Sequence, residues 1–440
     1  MQPLPGQPTM DHSQVPIPEI LMIPTVPLHR LTGLRHGYAF VSRLCDQEGA
    51  DAVRIRTPRH TLTFLRGGEA SRLFYGGEGA FTRTGAVPKA VQHLLQDEGS
   101  VQSLDGEAHH HRKAMFHQFL NEDGSRTAVD LLSQEWQRAV QHWSRREQIE
   151  LHEQVQLLLT RTALRWSGVP ADRAEVGRRV QELSAMVDRI ALFGPGNWSA
   201  RLLRRRTESW AAELVAATRA GTVLPPEDSA LAVISHHRDG DGALLSTPVA
   251  AVELINVLRP IVAVSRFIAF AAVALVQHPR WQATFADGEQ HDLTGFVHEV
   301  RRYYPFFPVV PGRVTTAFEW QGAPFEPGDL AVLDLYGTNH HPQCWPQPES
   351  FIPERFRDWD GDPHTLIPQG GGRPERDHRC PGEPMTIALM RQAVRLLTQS
   401  MTFEVPVQNL TVPLHRPPAL PRDGVLLRSI RPTGVSPVPD

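Results

Sequence analysis

The sequence predicts a mainly α-helical protein with a minor β-sheet region. Apolar residues recur at helical spacing from about Ala128 to Val187, for example Leu131, Trp136, Val140 and Trp143. Pro248 to Gln277 reads as a long apolar helix, interrupted at Pro260 where the backbone loses a donor. Strand-like segments are short and bounded by turn residues, which confines the sheet to a small share of the chain.

Each element follows from local pattern. The opening MQPLPGQPTMDHSQVP is polar and Pro-rich and lacks the apolar core of a signal peptide, so residues 1–19 are expected to be a flexible tail. Residues 20–440 then form a single domain. Ile55–Phe64 reads as a strand and Ala70–Tyr75 as a short helix, with the turn at Gly67-Gly68. Pro225-Pro226 and His237–Gly242 mark loops. Phe318–Val332 alternates and turns at Gly322 and Gly328, which predicts a small sheet. Met401–Ile430 is Pro-punctuated and reads as strand and loop. The chain has no internal repeat and no linker that divides it.

Composition narrows the function classes. A chain of 440 residues can bury a large core. Its net charge is −3 with both signs interspersed, so no basic face invites nucleic acid. Cys45, Cys344 and Cys380 are too few and too scattered for a disulfide framework, which points to a reducing compartment, the cytoplasm. The most apolar run, Phe267–Val276, is too short to span a bilayer, so stable membrane insertion is not expected.

The chemistry concentrates around one thiol, in Gln369-Gly-Gly-Gly-Arg-Pro-Glu-Arg-Asp-His-Arg-Cys380-Pro-Gly-Glu383, ahead of a helix-like Met385–Thr398. Such a cysteine suits an axial metal ligand. Glycines let a backbone lie flat against a large planar group. The amides of Gly382 and Glu383 are placed to hydrogen-bond the sulfur. His378, when protonated, and Arg379 supply positive charge that favours thiolate. The competing reading is a buried structural cysteine on a Gly-rich loop. Two further segments weigh against it. Glu299 and Arg302 fall three apart on one helical face, and Arg355 in Phe351-Ile-Pro-Glu-Arg-Phe356 is available to complete a Glu–Arg–Arg cluster.

These three segments in this order resemble the haem-thiolate fold of the cytochrome P450 superfamily, from about Ile20 onward. The resemblance implies haem b with Cys380 as the axial thiolate, and a structural role for the Glu–Arg–Arg cluster. Oxygen-activating members carry an acid–alcohol pair on the long helix. Here that stretch reads Ile255-Asn-Val-Leu-Arg259-Pro260-Ile-Val-Ala-Val264, with no such pair. A guanidinium on an apolar stretch needs a partner, unless it snorkels to solvent or meets a carboxylate elsewhere in the chain. A carboxylate arriving with the substrate would be gripped by two parallel bonds.

Arg259-Pro260, Val101-Gln102-Ser-Leu-Asp-Gly106, His109-His-His-Arg-Lys113, Arg301-Arg-Tyr-Tyr-Pro305, Leu333-Asp-Leu-Tyr-Gly-Thr-Asn-His340 and Ile367-Pro-Gln-Gly-Gly-Gly372 resemble the fatty-acid peroxygenase branch more narrowly. That resemblance implies hydroxylation of fatty acids at the α or β carbon by hydrogen peroxide, with no redox partner. Some relatives instead decarboxylate the acid to a terminal alkene. Arg259, Pro260 and Gln102 are the implied catalytic residues, with Arg259 and Gln102 binding substrate. Glutamine at position 102 resembles the hydroxylating members, whereas an alkene former carries histidine. Arg83, His109, Lys113 and His378 are implied partners of the haem propionates. An arginine stays protonated, so the substrate carboxylate held by Arg259 becomes the expected proton shuttle.

Other readings stay open: a reductase-dependent monooxygenase and a non-enzymatic haem sensor. Three consecutive histidines, His109–His111, cannot all face one ion on a regular helix, which disfavours a zinc site. Arg201–Arg206 reads as an exposed helix face. Two departures stand out. Ile367 replaces a phenylalanine common in the wider superfamily, and Gln96-Asp97-Glu98 is polar where an apolar segment near the substrate channel is expected.

Overall fold

The computed structural model describes residues 23–77, 79–95, 99–189, 195–435 and 437. The tail expected over 1–19 and the Gln96-Asp97-Glu98 segment lie outside the described residues. In chain order the helices are α1 (Phe40–Glu48), α2 (Gly68–Gly76), α3 (Lys89–Leu95), α4 (Gly106–His117), α5 (Glu122–Trp143), α6 (Leu151–Trp166), α7 (Arg173–Asp188) and α8 (Pro195–Arg219). They continue with α9 (Ala230–His236), α10 (Thr247–Gln277), α11 (Pro279–Ala286), α12 (Leu293–Tyr303), α13 (Leu335–Asn339) and α14 (Glu383–Arg395). The helical stretch expected from Ala128 to Val187 is thus three helices, α5 to α7. Each starts on a side-chain cap; Asn121 and Asp172, for example, accept the amides of Gly124 and Glu175.

The axis of the molecule is α10. Every residue from Ala250 to Leu275 is buried except Pro260, which is half-buried. A helix this largely apolar, with its few polar side chains turned inward as well, has no surface to offer water, so it threads the core, packed by α6, α8 and α14. By length and composition α10 is long enough to cross a membrane, but 83% of its most apolar window is buried inside the protein. The interruption expected at Pro260 is absent. The helix runs unbroken for 31 residues. Pro260 offers no N–H to the Asn256 carbonyl one turn back, and packing on every side holds the two halves in line.

Among the described residues the strands form three small sheets. β1 (Thr25–Val26), β2 (Ala52–Arg56), β3 (Thr61–Leu65), β4 (Phe81–Thr82), β6 (Val309–Val314) and β9 (Leu330–Asp334) make a six-stranded sheet in the order β1-β2-β3-β9-β6-β4. β5 (Gln148–Glu150), β10 (Met401–Glu404) and β11 (Leu426–Pro432) make a second, and β7 (Phe318–Trp320) and β8 (Ala323–Phe325) a hairpin. The single strand expected over Ile55–Phe64 is two antiparallel strands, with Ile55 opposite Leu62. Thr57 explains the reversal: its backbone N–H and its hydroxyl both donate to the His60 carbonyl, at 3.1 and 2.6 Å. Pro58, beside it, cannot donate to a ladder. The region 318–332 was expected to form one sheet. It instead supplies the β7–β8 hairpin, turning at Gln321-Gly322 with positive φ at both, and sends β9 into the main sheet.

The Glu–Arg–Arg cluster locks α12 to the segment before the cysteine loop. Glu299 and Arg302 are fully buried and paired twice, at 2.7 and 2.8 Å, and Arg355 adds a third contact at 3.4 Å. Arg302 also donates to the carbonyls of Asn339, Pro348 and Ser350, and Glu299 accepts the Ile352 amide. One ion pair therefore fixes three chain segments. Glu299→Ala would leave two arginines inside without their carboxylate, a loss of about 3–5 kcal/mol. Thermal unfolding should show that loss together with reduced haem content; an unchanged melting temperature would contradict the locking role.

Candidate active site

The loop carrying Cys380 is held from both sides. Its backbone N–H donates to the Gln369 carbonyl at 3.1 Å, and the Gly382 amide reaches the sulfur. The Glu383 amide goes instead to the Cys380 carbonyl, at 3.3 Å, so only one of the two expected amides serves the thiol. Glu383, which opens α14, is gripped by Arg301 of α12 and by Arg379. Arg301 also donates to Gln369 at 3.2 Å. From the other side Lys113 of α4 donates to the carbonyls of Asp377 and Arg379, the latter at 2.9 Å. The glycine run answers to this packing. A Cβ at Gly371 would lie 2.9 Å from Ile367 and Ser71, and one at Gly372, where φ is +82°, would lie 2.5 Å from Asp377. The protein's own packing thus gives these glycines a reason beside the one expected from a flat ligand.

Burial pushes the Cys380 thiol up, and the Gly382 amide, Lys113 and Arg301 pull it back towards thiolate. The charges expected from His378 and Arg379 do not play that part. Arg379 is spent on Glu383, and burial holds His378 down at about 4, so its ring is neutral at physiological pH.

Arg83, His109, Lys113 and His378 do come together beside the cysteine. The His109 and His378 rings stack with centroids 4.1 Å apart. Burial, His378 and Lys113 drive His109 down to about 2. Arg83 and Lys113 also depress His378, whose partner is Asp105 at 3.6 Å. Lys113 falls to about 8, mainly through burial. Four basic groups, all depressed by burial and the two histidines also by their basic neighbours, call for an anion. Arg83, His378 and Cys380 are each half-buried, so they keep some surface for a ligand. A thiolate-ligated haem with two propionates fits this donor set. His110 and His111 point away, to Glu107 and to the Arg238 carbonyl, so the three consecutive rings do not converge.

On α10, Arg259 is buried. Its Nη1 donates to the Leu94 carbonyl of α3 and its Nη2 to Asn256 Oδ1, both at 3.3 Å. Among the described residues it has no carboxylate partner. Burial, and then the charge of Arg204, push its guanidinium down to about 9, which leaves it protonated at neutral pH. Gln102, in a short turn before α4, is joined to this group: Asn256 Nδ2 donates to its Oε1 at 3.0 Å. Asn256 also donates to the fully buried Glu253, which in turn pairs with Arg112 at 2.8 Å. Burial pushes the Glu253 carboxyl up, opposed by Asn256, Arg112 and the Val101 amide. Pro260 follows Arg259 directly and touches the network only through the backbone it loosens at Asn256.

Sequence reasoning missed two neighbours. Asn256 joins Gln102 to Arg259, and its signal was spacing: residues 253, 256 and 259 are polar and share one face of an otherwise apolar helix. Arg204 is 2% exposed and faces inward from α8, which corrects the expectation of an exposed face over Arg201–Arg206. Its helical neighbour Glu208, 2.6 Å away, makes that burial tolerable. Arg205 and Arg206 are exposed as expected.

A family model for cytochrome P450 matches residues 291–429, the stretch holding the Glu–Arg–Arg cluster and the cysteine loop. The solved structure of cytochrome P450SP alpha with (R)-ibuprofen is 41% identical and superposes with a TM-score of 0.89, over 92% of this chain and 98% of that one. This chain is a cytochrome P450. It belongs with the CYP152 fatty-acid peroxygenases of that superfamily. Cytochrome P450EX alpha with myristic acid is 38% identical at a TM-score of 0.89, covering 93% of this chain and 99% of that one. A variant of the P450 OleT in complex with arachidonic acid is 29% identical at the same TM-score, over 93% and 98%. The putative cytochrome P450 139 of Mycobacterium tuberculosis is 22% identical over 387 residues, 79% of this chain and 87% of that protein.

For this P450, Lys113→Met removes the clasp on two loop carbonyls and, with it, one of the charges that draw the Cys380 thiol towards thiolate. Haem retention should weaken roughly tenfold, as for other groups that orient a metal ligand. Haem content after dialysis measures it, and retention equal to the parent protein would contradict the clasp.

Proposed function

We propose that this P450 hydroxylates fatty acids at the α or β carbon with hydrogen peroxide, its substrate carboxylate bound by Arg259 and serving as the acid–base group. The observation that carries this reading is Arg259 itself: a buried guanidinium with no carboxylate partner among the described residues, on a helix lacking an acid–alcohol pair. Burying an unpaired charge is costly, and an anion from outside the chain relieves it. A fatty-acid head group does so with paired, charge-assisted bonds that fix its orientation.

Bound haem, ligated by the Cys380 thiolate, supplies the oxidising chemistry, and thiolate donation favours O–O cleavage. The chain's residues position and protonate. Arg259 holds the carboxylate and cannot itself act as a base. The carboxylate takes a proton from one peroxide oxygen and returns it to the other. Gln102, fixed by Asn256, lies beside that head group. Because the head group is anchored, oxidation falls on the nearest carbons, Cα and Cβ. The apolar side chains of α10 around Arg259 suit an acyl tail. P450SP alpha and P450EX alpha, with their acid ligands, lend support by kinship.

Purified protein with hydrogen peroxide and a long-chain fatty acid should yield 2- or 3-hydroxy acids without any reductase. Turnover only with NAD(P)H and a reductase would contradict this. Arg259→Ala should keep its haem and lose about 2–5 kcal/mol of carboxylate binding, at least roughly 30-fold in kcat/KM. Short carboxylic acids, too small to be oxidised, should switch on peroxide oxidation of unrelated compounds in the parent protein. Absence of that activation would count against the shuttle.

A further inference from the structure

The polar groups around Arg259 form one chain whose ends dictate the orientation of everything between them. At the outer end Arg112 pairs with Asp239 on the surface and, through Nη1, with Glu253 Oε1 at 2.8 Å. The same Glu253 oxygen accepts the Val101 amide at 2.8 Å. A carboxylate so engaged can only accept, so the atom that Asn256 turns towards Oε2, 3.0 Å away, must be its NH2. Asn256 Oδ1 then faces Arg259 Nη2 at 3.3 Å, and a guanidinium can only donate. Acceptor-only at one end and donor-only at the other, the amide has a single orientation.

That orientation propagates. Asn256 Nδ2 also donates to Gln102, at 3.0 Å, so the atom it meets must be Oε1, which Ser100 Oγ engages as well at 3.0 Å. Gln102 Nε2 is thereby left over as a donor, with no hydrogen bond to any described residue. Gln102 is half-buried and one amide away from Arg259.

We propose that Glu253 is a positioning residue that sets the polarity of the Asn256–Gln102 chain, so that the head-group pocket presents donors from both Arg259 and Gln102 and selects an anionic head group over a neutral one. This rests on the reading that a fatty-acid carboxylate binds at Arg259. Glu253 touches no substrate. It acts by leaving Asn256 no other way to turn.

Glu253→Gln tests this at nearly constant shape. The new amide must keep its oxygen towards Arg112 and the Val101 N–H, which puts its NH2 against Asn256. Asn256 then stands between two donors, the new amide and Arg259, so neither orientation satisfies both and Gln102 loses the fixed orientation that aims its NH2 at the pocket. Binding is measured on the haem-loaded protein without peroxide, by calorimetry, using a long-chain fatty acid and the fatty alcohol of equal length. The alcohol both donates and accepts, so it tolerates either polarity. Acid affinity should fall roughly tenfold or more, the loss of one hydrogen bond to a charged group, while alcohol affinity stays within about twofold. An equal fall for both ligands would reveal a merely structural role and overturn the proposal, as would unchanged acid affinity. Should Glu253→Gln fail to hold haem, Gln102→Met decides, because it spares the buried Arg112–Glu253 pair and removes the donor without adding charge: acid affinity must fall by more than alcohol affinity. An unchanged ratio of acid to alcohol affinity in Gln102→Met overturns the proposal. A parent protein with no preference for acid over alcohol would sink the functional reading instead.

Discussion

A positive charge sealed inside an apolar helix, without a counter-charge among the described residues, is the constraint around which this molecule is organised. Arg259 lies among Leu258, Ile261 and Val262, all buried, and its protein partners are a carbonyl and a side-chain amide. Neither neutralises it. Fold stability alone gives no reason to keep such a group, since an aliphatic side chain would sit there at lower cost. Its presence makes sense when the missing charge belongs to something that binds.

The rest of the architecture keeps that charge where it is. α10 is surrounded by α6, α8 and α14, so it cannot rotate to take Arg259 to water. Pro260 removes the hydrogen bond that the Asn256 carbonyl would otherwise accept, and thereby loosens the helix at the residue linking Arg259 to Gln102. On the opposite side of the chemistry, the Glu299–Arg302–Arg355 cluster and the Arg301–Glu383–Arg379 triad fix the supports of the Cys380 loop. The two halves of the site are built differently. The thiol side is a rigid web of paired charges, and the Arg259 side, where we propose that substrate binds, is a guanidinium held by neutral groups.

Much of this was legible in the sequence because some residues announce themselves by cost. A cysteine after three glycines, a buried Glu-x-x-Arg completed from afar, and an arginine before a proline in an apolar stretch all break local rules. What stayed hidden depended on partners that no pattern supplies. Arg204 reads like its exposed neighbours Arg205 and Arg206, and only helical phase together with Glu208 takes it inward. The positive charge assigned to His378 vanished because burial outweighs Asp105. The hairpin at Thr57 was overlooked because a threonine side chain, with no glycine to flag it, makes the turn, although Pro58 already spoke against a single strand. Asn256 looked like an incidental amide until its three partners were in place.

The central claim is that the molecule being oxidised brings its own acid–base group to Arg259. Peroxide-driven consumption of a fatty acid should be compared with that of its methyl ester, which has the same chain and no ionisable head. The account predicts turnover of the acid and almost none of the ester. Equal consumption of both would contradict it.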